Sequence, residues 1–360
     1  MPLISSLGVM NAINFGLASS TPISQKFLAV AYNSSPYMAA YKLSGDTISS
    51  RYANPTTVTV GGAQCLDINK SNLAIVYGYA GDPTIAAYNF SSKLGFGAKY
   101  SSTSGITGNN YNVRKLKFTP SGVTLVATTS NGAGPYFWQW SDSTGFGTRY
   151  SNTTVAANLN ALSISPNGTT IFTGALTAVY LQAFSWTDSS GVGTVYTVPP
   201  ASDFNGAFTS FSNSPNGSVL ALSYNGTLPT VGAYHFTEGT GFGTKYTAPS
   251  VNPYAASTAD VSFNSTGTVL FCTGGATPFG IAYAWSDSTG FGSKYANPST
   301  TVAGNGLGVA VNKSGTLVGF AHEVSPYLSI YPWDNSTGFG VILSNPSLLN
   351  SAANCISFSK

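Results

Sequence analysis

The sequence predicts an all-β fold, a seven-bladed β-propeller with four strands in each blade. A phrase ending in G-F-G-T-[RK]-Y or a variant recurs along the 360 residues, each stretch between copies holds four short strand patterns, and the two chain ends complement each other. Successive copies lie 46 to 50 residues apart, a period typical of propeller blades. The copies end at Tyr52, Tyr100, Tyr150, Tyr196, Tyr246, Tyr295 and Leu343.

The repeated phrase is interpreted as the turn between the third and fourth strands of a blade, because glycines on both sides of an aromatic residue allow positive φ. The third strand precedes it and alternates two aromatic-rich columns, as in "PTVGAYHFT". A small apolar second strand ("TLVATT") and a first strand with a hairpin turn ("LSISPNG") lie further upstream. The columns are Tyr41, Tyr88, Trp138, Phe184, Tyr234, Tyr283, Tyr331 and Leu43, Phe90, Trp140, Trp186, Phe236, Trp285, Trp333.

The chain ends predict one shared blade. "CISFSK" at the C-terminus matches a first strand, and "QKFLAVAY" near the start matches a second strand. Ile356 and Phe358 are therefore expected beside Phe27 and Leu28, which hides sheet edges. The expected organisation is a propeller over residues 26–360 and an N-terminal docking arm over residues 1–25, with disorder of the arm as the alternative.

Composition excludes several classes of function. Charged residues make up 7% of the chain and the net charge is +3, with no Lys/Arg-rich run, which argues against nucleic acid. Residues 1–25 carry no charge, unlike a secretory signal, and Ser, Asn and Gly interrupt them too often for a membrane span. Three cysteines, Cys65, Cys272 and Cys355, are expected as free buried thiols of a protein folded in a reducing cytoplasm.

Candidate catalytic groups are few, and no cofactor or metal site is expected. The two histidines, His235 and His322, are too few for a zinc site or a catalytic triad. Acidic residues recur before the repeated phrase, where Asp is expected to bond its own turn. Asp67 and Asp260 lie on innermost strands, so a small acidic site near the channel stays open as an alternative. The recurring acids are Asp142, Asp188, Glu238 and Asp287.

A basic residue precedes the repeat tyrosine five times, which a propeller would spread as a ring. Lysine and arginine bind anions and tyrosine stacks on sugars, so the ring is a candidate partner-binding surface. The alternative is solvated side chains that discourage edge pairing. His322, in the "AHEVSPY" hairpin, is added to this candidate surface, with an ordinary surface or hairpin role as its alternative. The ring residues are Arg51, Lys99, Arg149, Lys245 and Lys294.

The phrases "SPYLSIYPWDNSTGFGVILSNPS" and "VAVNKSGTLVGFAHEVSPY" resemble propeller repeats of tailed-bacteriophage structural proteins. The resemblance covers residues 26 to 360 and implies a non-enzymatic virion protein, a capsid decoration or a tail or host-attachment module. Its partners would be other virion proteins, its location the virion after synthesis in the host cytoplasm, and association of several copies is left open. The rival is a lectin-like propeller that binds host surface glycans. A hydrolase at the channel mouth would need a cluster of acids that the sequence does not visibly assemble.

Overall fold

The computed structural model describes most of the chain as strands and short turns. The described residues are 26–58, 61–81, 84–101, 112–130, 132, 134–151, 158–175, 181–204, 206–254, 257–344 and 349–360. The expected docking arm, residues 1–25, lies outside them. No helix in the described ranges is long and apolar enough to cross a membrane.

Twenty-eight strands and one short 3-10 helix (Ala201–Asp203) form the described structure. In chain order the strands are β1 (Phe27–Tyr32), β2 (Met38–Ser44), β3 (Thr47–Arg51), β4 (Ala63–Ile68), β5 (Ala74–Tyr79), β6 (Ile85–Ser91), β7 (Gly95–Lys99), β8 (Asn112–Phe118), β9 (Thr124–Ser130), β10 (Tyr136–Ser141), β11 (Gly145–Arg149), β12 (Leu159–Ile164), β13 (Thr170–Ala175), β14 (Leu181–Thr187), β15 (Gly191–Val195), β16 (Gly206–Asn213), β17 (Val219–Gly226), β18 (Val231–Thr237), β19 (Gly241–Lys245), β20 (Thr258–Phe263), β21 (Val269–Gly274), β22 (Gly280–Ser286), β23 (Gly290–Lys294), β24 (Gly306–Val311), β25 (Leu317–His322), β26 (Leu328–Asp334), β27 (Gly338–Phe339) and β28 (Ala353–Phe358).

These strands make seven four-stranded antiparallel sheets, which confirms the predicted seven-bladed propeller. Blade 1 is β28-β1-β2-β3, and blades 2 to 7 are the consecutive sets of four from β4 to β27. The first strand of each sheet contacts the first strands of the two neighbouring sheets, from β4 round to β28 and back to β4. These seven strands therefore form the innermost ring around the channel.

Blade 1 contains strands from both ends of the described chain. β28 pairs antiparallel with β1, with Leu28 opposite Phe358 and Val30 opposite Ile356. This pairing matches the arrangement expected from the sequence. It covers the free edge that β1 would otherwise expose.

The repeated glycine phrase is the fourth strand itself, so its interpretation as a turn is wrong. In blade 3 the strand β11 starts at Gly145, and the turn lies just before it. The two glycines also differ in role. Gly145 has φ +80°, and a Cβ there would lie 2.7 Å from Cδ1 of Tyr100. Gly147 is not at positive φ, and its Cβ would lie 3.1 Å from the Cβ of Gln139 on the paired strand. The second glycine therefore permits close approach between strands.

The repeat tyrosine joins one blade to the next. Tyr100, which follows blade 2, packs edge-on against Trp140 of blade 3 with ring centroids 5.1 Å apart. Its hydroxyl donates a hydrogen bond of 2.6 Å to the backbone oxygen of Asp142. Tyr246 makes the same contacts with Trp285, at 5.0 Å, and with the Asp287 backbone oxygen, at 2.6 Å. Both predicted aromatic columns are buried in these interfaces.

The recurring acids also join blades, rather than only bonding their own turns. Asp287 of blade 6 accepts hydrogen bonds from Trp285 Nε1 (2.8 Å) in its own blade, and from Asn216 Nδ2 (2.7 Å) and Ser218 Oγ (2.8 Å) in blade 5. Asp188 of blade 4 likewise accepts from Ser121 and Thr124 of blade 3. Burial alone would raise the pKa of Asp287, but these hydrogen bonds outweigh it and lower the pKa. We call these contacts the interblade acid clasp.

Candidate functional site

The channel face of the innermost ring varies from blade to blade, unlike the repeated blade interfaces. Side chains alternate along a strand, so the fourth-last and second-last residues of each innermost strand share one face. The fourth-last residues are Cys65, Lys115, Ala161, Ser210, Asp260, Gly308 and Cys355, and the second-last residues are Asp67, Lys117, Ser163, Ser212, Ser262, Ala310 and Ser357. Small residues predominate, and the two lysines and two aspartates are the exceptions.

A cavity of about 670 Å³ occupies the channel. Its lining includes most of these channel-facing residues and extends past the ends of the innermost strands to Pro166, Pro215 and Ser265. The cavity therefore runs from the middle of the channel toward the end at which the innermost strands finish. Its volume is typical of a small-molecule site.

An ion pair crosses the channel at the deep end of this cavity. Lys115 of blade 3 places Nζ 3.4 Å from Oδ1 of Asp260 in blade 6, although two blades separate them along the shorter way round the ring. Asp260 also accepts a hydrogen bond of 3.0 Å from the Val309 backbone N–H. Burial alone would lower the pKa of Lys115. The charge and hydrogen bond of Asp260, together with Cys355 and Cys65, outweigh burial and raise this pKa. This pair forms the floor of the cavity.

Asp67 lies closer to the mouth and is also neutralised. Its Oδ1 lies 2.8 Å from Nζ of Lys360, and its Oδ2 accepts a hydrogen bond of 2.8 Å from the Phe118 backbone N–H. The carboxylate is nearly buried, whereas the lysine is partly exposed. Asp67 therefore fixes the position of Lys360 at the mouth.

Lys117 lies on the same strand face as Lys115, next to the blade that carries Asp67. Its backbone pairs with β9, but its side-chain amine makes no hydrogen bond or ion pair among the described residues. Burial lowers its pKa, and the negative charge of Asp67 opposes the shift only in part. This amine can therefore lose its proton more readily than an ordinary lysine and is free to contact a ligand.

The cavity is basic, so it is not the small acidic site that the sequence left open as an alternative. Asp67 and Asp260 face the channel as expected, but each is bound to a lysine. The lining holds four lysines, with Lys313 as the fourth, and two aspartates, so its side chains carry a net charge of +2 (4 − 2) when every lysine is protonated. Sequence reasoning identified the two acids and missed the lysines. Their signal was visible in "VRKLKF", the strand that departs most from the apolar and small residues of the ring.

Two cysteines line the same cavity. Cys65 and Cys355 are free thiols, as is Cys272 elsewhere in the core. Burial raises the pKa of Cys65 and of Cys355. High pKa values leave little thiolate at neutral pH, so these thiols are poor nucleophiles. In the part of the chain that the structure describes, no group of three or more His, Cys, Asp or Glu side chains could hold a metal ion.

The predicted basic ring lies at the outer ends of the fourth strands, away from the channel cavity. Arg51 donates to Tyr32 Oη (3.0 Å) and Asn54 Oδ1 (2.8 Å), and Arg149 lies over the Tyr136 ring at 4.9 Å. Lys245 donates to the Asp203 backbone oxygen and Lys294 to Asn297. Lys99 ends β7 opposite Tyr88. The structure does not bring these residues together, and their binding of a partner stays a prediction.

His322 is a core residue, so its expected surface position is wrong. It ends β25 with 0% of its surface exposed, and its Nε2 lies 3.0 Å from Ser329 Oγ. Burial lowers its pKa to about 4, so the ring is neutral at neutral pH. The hairpin sequence suggested exposure, but the strand continues through this residue. A fully buried side chain has no surface to offer a partner.

Comparison with known proteins gives structural neighbours and no sequence family. No protein-family model matches the chain, and no curated protein matches it. A candidate 6-phosphogluconolactonase from Bacteroides fragilis superposes with a TM-score of 0.73 at 13% identity, covering 95% of this chain and 99% of that one. A second from Bacteroides uniformis gives 0.72 at 12% identity, covering 93% and 99%. The periplasmic gluconolactonase of Pseudomonas aeruginosa gives 0.68 at 13% identity, covering 94% and 99%.

These neighbours overturn the prediction of a non-enzymatic phage virion protein. Candidate and named lactonases match almost the whole propeller, whereas the comparisons give no support to the phage resemblance. The repeated phrases that suggested it serve to pack blades, and packing alone does not define function. At 12–13% identity the likeness shows the fold. The chain is a seven-bladed β-propeller whose structural neighbours are of the 6-phosphogluconolactonase-like type.

Proposed function

We propose that this protein is a hydrolase that opens a sugar-derived lactone in the channel cavity. The observation that carries the proposal is the cavity of about 670 Å³, which is lined by four lysines and two aspartates. Two of these lysines and both aspartates stand in an otherwise small-residue ring. Hydrolysis turns a neutral lactone into a carboxylate, and negative charge develops on the carbonyl oxygen on the way. An excess of positive charge stabilises both. The lactonases among the structural neighbours support this class of substrate.

The two channel-facing lysines of β8 have different roles in this proposal. Lys117, with its lowered pKa, is the general base that takes a proton from water. The water oxygen then bonds to the lactone carbonyl carbon, and the protonated Lys115 donates a hydrogen bond to the resulting oxyanion. When the ring C–O bond breaks, the departing alkoxide takes the proton back from Lys117. One water is consumed, and one carboxyl group and one hydroxyl group are formed.

Asp260 and Asp67 act as positioning residues. Asp260 holds Lys115 across the channel and keeps it protonated, and the ammonium retains further N–H groups for a ligand. Asp67 holds Lys360 at the mouth. Neither carboxylate is needed as the base, because each is already bound to a cation and a backbone N–H.

Hydrolysis of glucono-δ-lactone and of its 6-phosphorylated form by the full chain tests the proposal, with spontaneous opening subtracted. Lys117→Met should lower kcat/KM by roughly 100-fold or more, because general-base catalysis contributes 10²–10⁴-fold. Lys70→Met, an exposed lysine outside the channel cavity, is the control and should retain activity. No turnover of either lactone by the unaltered protein, or full activity of Lys117→Met, would refute the proposal.

A further inference from the structure

A second, smaller cavity of about 150 Å³ lies beside the channel mouth. It shares Lys313, Phe358, Ser359 and Lys360 with the channel cavity and adds Lys26 and Leu43. Its volume is about five times the roughly 30 Å³ that one liquid water occupies. This is enough room for a small ion or a substituent of a larger ligand.

The charge of this cavity is one-sided. Three lysines from separate segments of the chain line it, and the described residues of its lining include no Asp or Glu side chain. Lys360 is neutralised by Asp67, at 2.8 Å. Lys26 and Lys313 form no ion pair among the described residues. Both side chains are exposed and border the same cavity, so an anion bound there would be attracted by two ammonium groups.

The backbone around the cavity is held in place. Leu43 donates to the backbone oxygen of Lys26 (2.8 Å), and Ser359 donates to that of Phe27 (2.9 Å). The Ser359 hydroxyl oxygen accepts a bond of 3.3 Å from the Phe27 N–H, which leaves its own O–H to donate. The turn that carries Lys313 is fixed because Asn312 Oδ1 accepts from two backbone N–H groups, at 2.9 and 3.0 Å.

We propose that Lys26, Lys313, Lys360 and Ser359 form a binding subsite for a tetrahedral oxyanion of the phosphate class. Lysines bind phosphate as point charges, and a hydroxyl adds a directional hydrogen bond. The subsite opens beside the proposed catalytic cavity, so it receives either free inorganic phosphate or the phosphoryl group of a sugar ligand. Anion binding does not require the channel lysines to catalyse a reaction, so this inference extends beyond the proposed function.

Titration calorimetry of the full chain with inorganic phosphate, 6-phosphogluconate and gluconate tests the subsite. Lys26→Met combined with Lys313→Met should weaken phosphate binding by at least tenfold. Lys70→Met is the matched control, because "NKSN" around Lys70 and "NKSG" around Lys313 occupy the same turn in blades 2 and 7. The control should bind phosphate like the unaltered protein. Raising the salt concentration should weaken binding further, because the lysines at the rim are exposed.

The three ligands separate the sources of the anion. Weakened binding of 6-phosphogluconate with unchanged binding of gluconate assigns the subsite to a substrate phosphoryl group. Weakened binding of inorganic phosphate alone assigns it to the free ion. Lys117→Met separates the two proposals, because it should lower lactone hydrolysis by roughly 100-fold or more and leave phosphate binding intact. Phosphate binding that is absent from the unaltered protein, unchanged in the double variant or equally reduced by Lys70→Met would overturn the inference.

Discussion

The channel and the blade interfaces both contain aspartates, but they use them differently. In the interblade acid clasp, Asp287 and its equivalents recur from blade to blade and accept bonds from a neighbouring blade. In the channel, Asp260 and Asp67 stand at positions that hold small residues in most other blades. A residue that recurs with the repeat is explained by packing. A charged residue that breaks the repeat on a shared face needs another explanation, and here it points to the ligand cavity.

The largest effect is expected when the charged pair in the channel is replaced by the small residues found in other blades. Lys115→Ala with Asp260→Ser installs residue types already present at the same ring position as Ala161 and Ser210. We expect lactone hydrolysis to fall by about 100-fold or more, since an oxyanion donor is lost. The free energy of unfolding should change by only about 1 kcal/mol, because both members of a largely buried pair are removed together. Steady-state kinetics and urea unfolding measure the two effects.

The single variant Lys115→Ala is the comparison for that experiment. It leaves Asp260 without its cation, so it should destabilise the fold more than the double variant does. If the double variant unfolds instead, the channel pair is structural and the contrast with the acid clasp disappears.

A blade interface should respond in the opposite way, with lost stability. Gly145→Ala combines positive φ with a Cβ 2.7 Å from the Tyr100 ring, so we expect a loss of about 3 kcal/mol in the free energy of unfolding. Gly239→Ala is a matched control, because its φ is +78° and no atom lies within 4 Å of its Cβ. The control should lose only about 1 kcal/mol, from backbone strain. Equal losses in urea unfolding would show that the tyrosine contact contributes little.

The acid clasp should have a smaller, pH-dependent effect. Asp287→Ala removes three hydrogen bonds to a partly exposed carboxylate, so we expect a loss of about 1–2 kcal/mol at pH 7. The folded state lowers the pKa of Asp287 below the ordinary value of 3.8. Its stabilisation is therefore present above pH 3.8 and is lost as the pH falls through the folded pKa. Urea unfolding at pH 7 and near pH 3 should show the variant and the unaltered protein converging at the lower pH.

Asp334→Ala is the control for the clasp. The Asp334 carboxylate is exposed and accepts bonds from Ser336 and Thr337 in its own turn, rather than from another blade. Its loss should destabilise the fold less than Asp287→Ala does at pH 7. An equal effect would mean that the clasp holds turns and not blades.

The architecture could be predicted from the repeats alone, because seven similar segments require the same local structure seven times. The aromatic columns, four-stranded blades and paired chain ends all follow from residues close together in sequence or in equivalent repeat positions. Local patterns failed where the answer depended on a neighbouring element. The glycine phrase predicts a turn, but its second glycine is needed for close approach of the paired strand. The hairpin around His322 predicts a surface position, but this side chain is buried by packing outside the hairpin.

The composition of the candidate site depends on contacts between distant parts of the chain. Lys115 and Asp260 are 145 residues apart in the chain, and their contact exists because closing the ring places blades 3 and 6 across the channel from each other. The Lys26, Lys313 and Lys360 cavity likewise joins three distant segments. Each lysine alone resembles an ordinary surface residue in the sequence. The lysines can act together on one ligand only when closure of the ring brings them around the same cavity, because electrostatic interaction depends on distance in space and not along the chain.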